Sequence, residues 1–455
     1  MEDEAIYLPA VKRILNPSLY PRDAQFFAAQ TRFTAFPALM AYLSRVSHLS
    51  VPATFFAVYC MSVIAFVWVL GLLAVKIFPE ARSRWAAVLL PCALWTMPVA
   101  GTALFIMDQH LHPRNLATIA LLVAVLAVLE GRIAMAPAAL AVAAAIHPLM
   151  ALYGASLLLM FAKRGLALHL AGLAIGIPLG WYFLPPVTAA WRQAAASYYF
   201  LSNWEWYEWL GIFGPLLILA ACARWARQRA PALGRVAEAL VRFGIFYFLV
   251  AMLLSYVPRF AQLAALQPMR VLQPIYLFLA FFAGGILVQR LGRQRVMPGI
   301  LFLGLCGGMY FAQLEEFPAS PHVEWPGLKT ANEWLAAYDW IRLNTPAGAY
   351  FAMDPRYMES PGADFHGFRA LAERSALADR IEDKTVASLS PALAERWWTE
   401  TEAQRDWGRF DSQSIGRLKA RFGVDWVLLR RDSPPHFEGL VCPYENPRLR
   451  VCRIE

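Results

Sequence analysis

Residues 52–76 read PATFFAVYCMSVIAFVWVLGLLAVK, and their only charged side chain is Lys76, at the very end. About 20 apolar residues in a helix cross a bilayer core, so a run of this length without a carboxylate reads as a membrane span. Comparable runs follow near 85–107, 115–130, 133–162, 166–184, 208–223, 243–258, 271–288 and 298–314. The 455-residue chain is 59% hydrophobic and 14% aromatic, which fits a polytopic membrane protein and not a soluble enzyme. The expected fold is a polytopic α-helical membrane protein of about 9–10 membrane helices. It comprises an outer loop with interfacial helices at 1–50, a transmembrane helical domain at 51–314 and a C-terminal extracytoplasmic α/β domain at 315–455.

The 133–162 run is too long for one span and carries His147-Pro148 at its middle. The residue before a proline is disfavoured in a helix, so two short helices are expected to meet there, dipping in from the cytoplasmic side and returning. Orientation follows from charge. Lys76, Arg82, Arg84, Arg132, Lys163, Arg164, Arg224, Arg227, Arg229, Arg235, Arg242, Arg290, Arg293 and Arg295 fall in alternate loops, and beyond the first span the opposite loops hold only Arg114, Arg192, Arg259 and Arg270. The positive-inside rule puts the first set in the cytoplasm and both chain ends outside, as in a bacterial inner membrane. The net charge of +9 is therefore anchoring charge, with no nucleic-acid partner implied.

Carboxylates are scarce where the chain is apolar. Before residue 315 they are Glu2, Asp3, Glu4, Asp23, Glu80, Asp108, Glu130, Glu205, Glu208 and Glu238. On this topology seven of the ten lie outside, namely Glu2, Asp3, Glu4, Asp23, Asp108, Glu205 and Glu208. Charges near a bilayer are expensive, so retained ones tend to mark loops, pairs or functional cavities. The start of the chain has no preceding span to export it, so either one further N-terminal helix is expected in the complete protein or a short acidic tail is exported. Within 4–48, Ile6, Val11, Ile14 and Leu15, then Phe33, Phe36, Leu39, Met40 and Leu43, recur at helical spacing, as in helices lying in the interface.

The last 140 or so residues alternate helix and strand signals. A helix is expected over Leu328–Leu343, a strand over Ala349–Met353, and a helix from an Asp411 cap through Leu418 with Gly423 as its stop. A strand at Trp426–Leu429 and a hairpin of Leu440–Tyr444 with Leu449–Arg453 complete the pattern. Cys442 and Cys452 lie in that hairpin; a disulfide is open to them if it is extracytoplasmic, and geometry decides. Cys60, Cys92, Cys222 and Cys306 read as small core hydrophobes.

Four constellations could carry chemistry. Glu2-Asp3-Glu4 suits a general base or a divalent ion, and equally a solvated acidic terminus. Asp108-Gln109-His110-Leu111-His112-Pro113-Arg114 places a carboxylate and an imidazole two apart, able to face one ion, beside an arginine whose planar fork matches phosphate. Arg259 and Arg270 flank an outer loop and could hold a phosphate or simply snorkel to the headgroups. Trp191 through Trp209 read mainly as an aromatic belt, with sugar binding as the lesser reading. His147-Pro148 reads as a helix break rather than a ligand. There is no P-loop, nucleotide fingerprint, zinc spacing or serine nucleophile elbow.

The opening Glu2-Asp3-Glu4-Ala5-Ile6-Tyr7 through Asn16-Pro17-Ser18-Leu19-Tyr20-Pro21-Arg22-Asp23 resembles the first outer loop of bacterial membrane proteins of the GT-C glycosyltransferase superfamily. The Asp108-Gln109-His110 loop occupies the place of that superfamily's second outer loop. His147-Pro148 followed by Met150 to Gly154 is similar to uncharacterised bacterial members, as are Asn344-Thr345-Pro346, Asp354-Pro355, Phe368-Arg369, Glu373-Arg374-Ser375 and Phe422-Gly423-Val424-Asp425-Trp426. The resemblance is diffuse, and this chain departs from it in lacking the first helix and in showing Asp-x-His where some relatives have two acids.

The resemblance implies an inverting transferase using a polyprenyl-phosphate-linked sugar and a glycan, lipid or protein acceptor. Asp3 or Glu4, with Glu2 beside them, would take the acceptor's proton. Asp108 and His110 would act directly or through a divalent metal (Mg or Mn). Arg114, Arg259 and Arg270, with His112 and Asp23, would bind substrate and offset charge on the departing phosphate. The competing classes are a transporter or flippase of a lipid-linked or small polar solute, which the broken 133–162 segment favours, and a non-catalytic scaffold.

Overall fold

The computed structural model describes residues 3–291, 296–318, 325, 332–359, 367–431 and 439–455, so Glu2 lies outside it. The chain divides into two compact units, one of Met1–Phe56, Thr188–Ala196 and Gln313–Glu455, the other of Ala57–Val187 and Ser197–Ala312. The expected outer loop and C-terminal domain thus belong to a single unit.

Among the described residues seven helices are long and apolar enough to cross a membrane: Val51–Ile77, Pro113–Glu130, Gly165–Phe183, Trp206–Arg229, Pro231–Tyr256, Pro268–Gln289 and Met297–Glu316. No residue in the apolar windows of Gly165–Phe183 and Met297–Glu316 is fully buried. Trp181, Phe183 and Leu303 are more than half exposed there, an arrangement that water would oppose and lipid favours. The architecture is that of a multi-pass helical protein.

The 133–162 run is two helices, Met135–Ile146 and Pro148–Leu159, meeting at His147 as expected. The 85–107 run is not a span. Its helix, Ala81–Ala93, ends soon after Pro91, and the chain turns back on itself through a bridge between Pro98 and Phe105. Val99 donates to the Leu104 carbonyl and Ile106 to that of Met97, with the Gly101-Thr102 turn between them. Pro98 has no N–H for a helix and restricts Met97, so hydropathy alone overcounted here. Two helices of this unit approach closely. A Cβ at Gly284 would lie 2.2 Å from the Ala86 carbonyl oxygen, and one at Gly285 2.2 Å from the Phe78 ring.

The other unit is built on a five-stranded sheet, β1 (Tyr350–Met353), β2 (Ser375–Ala376), β3 (Trp426–Arg430), β4 (Leu440–Glu445) and β5 (Leu449–Ile454), ordered β2-β1-β3-β5-β4. β1 pairs parallel with β2 and β3, and the β4–β5 hairpin closes the edge antiparallel. Alternate residues serve two cores: Phe351, Met353, Trp426 and Leu428 on one face, Tyr350, Ala352, Val427 and Leu429 on the other. The expected elements are present among the described residues, with local causes, positions 328–331 of the first helix lying outside them. Asn332 caps Glu333–Asn344 by accepting from Trp334 N at 2.9 Å, and Pro346 follows its end. Asp411 caps Ser412–Phe422, which stops at Gly423 with φ +71°. Cys442 and Cys452 form a disulfide across β4 and β5.

The N-terminal segment folds as a 3-10 turn, Asp3–Ile6, and helices Leu8–Leu15, Gln25–Thr31 and Phe36–Ser47. Of the residues expected to face a lipid interface, Val11, Phe36 and Met40 are buried within this unit, Ile14, Phe33 and Leu39 are exposed, and Ile6, Leu15 and Leu43 are half-buried. Tyr20 donates to the Arg369 carbonyl at 2.7 Å and Lys12 to that of Ala370 at 2.6 Å. Trp191, in the short 188–196 insert, donates from its indole to the Ser388 carbonyl at 2.8 Å.

Candidate functional site

One end of the helical unit gathers ionisable groups from three loops. The first loop follows the Pro98–Phe105 turn. Its Asp108 carbonyl accepts from Tyr59 Oη at 3.3 Å, Trp95 Nε1 at 3.2 Å and Asn115 Nδ2 at 3.5 Å, which fixes the backbone. The Asp108 carboxylate takes a two-point bond from Arg114, Nε to Oδ2 at 3.0 Å and Nη2 to Oδ1 at 2.5 Å. Both side chains are buried, so this is a desolvated, geometrically matched pair.

His112 sits between them in sequence and is the N-cap of Pro113–Glu130. Its Nδ1 accepts from Arg114 N at 3.0 Å and stands 4.0 Å from Asp108 Oδ2. An imidazole that accepts through Nδ1 carries its hydrogen on Nε2 when neutral. Burial, and then Arg114, His147 and Arg270, hold His112 well below its ordinary value, so it is neutral at neutral pH.

The second loop is the break at His147. The ring packs 6.0 Å from that of His112, centroid to centroid, and its Nδ1 accepts from Met150 N at 3.3 Å, capping Pro148–Leu159. The third is the turn at Gln267–Arg270, where Gln267 adopts φ +53°. Tyr153 of the Pro148–Leu159 helix pins this turn through hydrogen bonds to the Leu266 carbonyl and, at 3.1 Å, to that of Gln267. Arg270 follows, and its buried Nε has no hydrogen-bond partner among the described residues. Asp108 and Arg114 balance, burial keeps both imidazoles neutral, and Arg270 leaves this group one positive charge. Two helix N-termini with the same sign of potential face an anion favourably.

The remaining predicted residues are placed as follows. Arg259 donates from Nε to the Trp181 carbonyl at 2.9 Å, near the end of Gly165–Phe183. His110 is half-buried in the first loop, its carbonyl accepting from Asn115 at 3.2 Å. Asp3 opens the 3-10 turn and Glu4 is buried, both in the sheet unit. Asp23, also there, is fully buried and ion-paired to Arg369. Glu205 and Glu208 form a reciprocal cap at the start of Trp206–Arg229.

Among the described residues no three His, Cys, Asp or Glu side chains gather as a metal site, and Asp108 is engaged by Arg114. No chemical step is assigned to a metal. His147 is the site residue that sequence reasoning passed over. The available signal was the repeated His-Pro dipeptide at 112–113 and 147–148. Compared with known protein families and with curated proteins, the chain finds no match.

Proposed function

We propose that the protein is a membrane glycosyltransferase of the GT-C kind, moving a sugar from a polyprenyl-phosphate donor to an acceptor hydroxyl at the outer face of a bacterial inner membrane. The observation that carries this reading is the Arg114, Arg270 and His112 cluster set at one end of a bundle of membrane-length helices. A lipid phosphate is amphiphilic in the same sense: an apolar chain that ends in an anion. One net positive charge suits a phosphodiester, which carries one negative charge. A disulfide-linked hairpin in the sheet unit supports an oxidising compartment for that unit.

In the proposed reaction, a general base accepts the proton of the acceptor hydroxyl as its oxygen attacks the anomeric carbon. The bond from that carbon to the phosphate oxygen breaks, and its electron pair leaves with the lipid phosphate, whose charge rises from one to two. Attack opposite the leaving group inverts the configuration. Arg270 and Arg114 offset the added charge, and His112 donates a hydrogen bond without needing to be protonated. Arg270→Ala is expected to lower transfer by about 10²-fold or more in a membrane assay with a polyprenyl-phosphate sugar. If Asp3→Ala, Glu4→Ala, Asp108→Ala and Arg270→Ala all retained full transfer, the assignment would fail.

The break at His147 favours a second reading, a carrier of a lipid-linked anion, because interrupted helices line solute sites in transporters. Movement of labelled donor across sealed vesicles, without transfer, would select it.

A further inference from the structure

His-Pro occurs twice at the same structural position, as N-cap and first residue of a helix. In both, proline removes one N–H that the first turn could not bond, and the imidazole Nδ1 accepts another. A helix break needs only a proline and a capping acceptor, and Ser, Asn or Asp caps better than His. What His adds is a donor on the far side of the ring, since the capping bond assigns the hydrogen to Nε2. The two rings are 6.0 Å apart, and Arg114 and Arg270 lie within electrostatic range of both.

His147 is also tied mechanically to Arg270. The helix it heads carries Tyr153, which holds the Leu266 and Gln267 carbonyls and thereby the turn that presents Arg270. The guanidinium has an Nε without a partner among the described residues, so that one donor is not spent on them.

We propose that His147 is a second imidazole of the anion site, donating from Nε2 to an oxygen of the phosphate that Arg270 neutralises. The inference rests on the lipid-phosphate reading above, and it names a residue that the reading does not require. His147 binds and positions the phosphate; it transfers no proton.

The test uses the full-length protein in detergent, titrated with farnesyl monophosphate, inorganic phosphate and, as a control without the anion, farnesol. His147→Asn keeps an oxygen that can cap Met150 N but loses the outer donor. His147→Gln moves the polar group outward, keeping a donor and losing the cap. His147→Asn is expected to bind farnesyl monophosphate about tenfold or more weakly, the size of a lost hydrogen bond to a charged group, with farnesol binding unchanged. His147→Gln is expected to bind better than His147→Asn while melting at lower temperature, an order that a purely structural role would not produce. Binding of inorganic phosphate with the same variant order would assign the site to phosphate in general, and its absence to a lipid headgroup. Equal farnesyl monophosphate binding by wild type and His147→Asn, with weak binding by Arg270→Ala, would overturn the role of His147 alone. Equal binding by wild type and Arg270→Ala would overturn the lipid-phosphate reading and this inference with it.

Discussion

Replacing Arg369 by Met should destabilise the sheet unit more than any other single charge removal, and the loss should depend on pH. Arg369 is 4% exposed, and around it lie Asp23, Asp379 and Asp383, which are 0%, 7% and 3% exposed. Its Nε donates to Asp23, Nη1 to Asp383 Oδ1 at 2.9 Å and Nη2 to the Ala376 carbonyl at 2.9 Å, with Asp379 Oδ2 at 3.7 Å. One cation thus serves three buried carboxylates. Removing one partner of a buried pair costs about 3–5 kcal/mol, because the other is left charged and dry. Asp23→Asn is milder, at about 1 kcal/mol, since the amide still accepts from Arg369 and one excess negative charge is gone.

The pH dependence follows from the acids. Burial pushes Asp379 and Asp383 above the ordinary carboxylate range, and Arg369 opposes that rise. Acids whose folded values lie above their unfolded ones take up protons on folding. Their contribution is fully present below the unfolded value and is lost as pH rises through the folded one. Without Arg369 the rise is larger, so the penalty of Arg369→Met should be greatest near neutral pH and shrink as pH falls towards about 5. Hydrogen exchange of the amides in 368–389, measured on the full-length protein in detergent and corrected for intrinsic rates, reads the local opening free energy directly. A loss below about 1 kcal/mol, or one equal at both pH values, would refute the reasoning.

Two further outcomes are expected. Cys442→Ala with Cys452→Ala should cost up to about 3 kcal/mol from the closed loop, read as faster exchange in β4 and β5, and unchanged protection would remove the disulfide from the stability of that edge. Gly284→Ala should lower the thermal midpoint in detergent by overpacking worth about 1–3 kcal/mol, whereas Gly304→Ala, with open space around it, should not; equal effects would contradict the close helix approach.

Features governed by local rules were legible in the sequence. The break at His147, the Asp411 cap, the Gly423 stop and the 440–453 hairpin each depend on a few adjacent residues. The 85–107 run was misread because mean apolarity carries no information about Pro98, after which Ala100 and Ala103 take positive φ as the chain turns. Of the candidate site, Asp108, His112, Arg114 and Arg270 were named from residue type, but the Asp108–Arg114 pairing was not, since spacing alone left Asp108 equally suited to an ion. His147 was set aside because its structural duty is real; its second duty shows only when the ring is found beside His112. Arg369 had no local signal at all, as its partner Asp23 lies 346 residues away.

That separation also has a consequence in time. A ribosome adds about 5–20 residues each second, so Asp23 emerges on the order of 17–70 s before the arginine that neutralises it. Throughout that interval the seven described membrane-length helices are being made, while Phe26 waits for the Arg369 and Arg396 guanidinium groups that cover its ring. The sheet unit is therefore assembled from residues made before and after those helices, and a ribosome stalled before residue 369 would leave Asp23 without its cation.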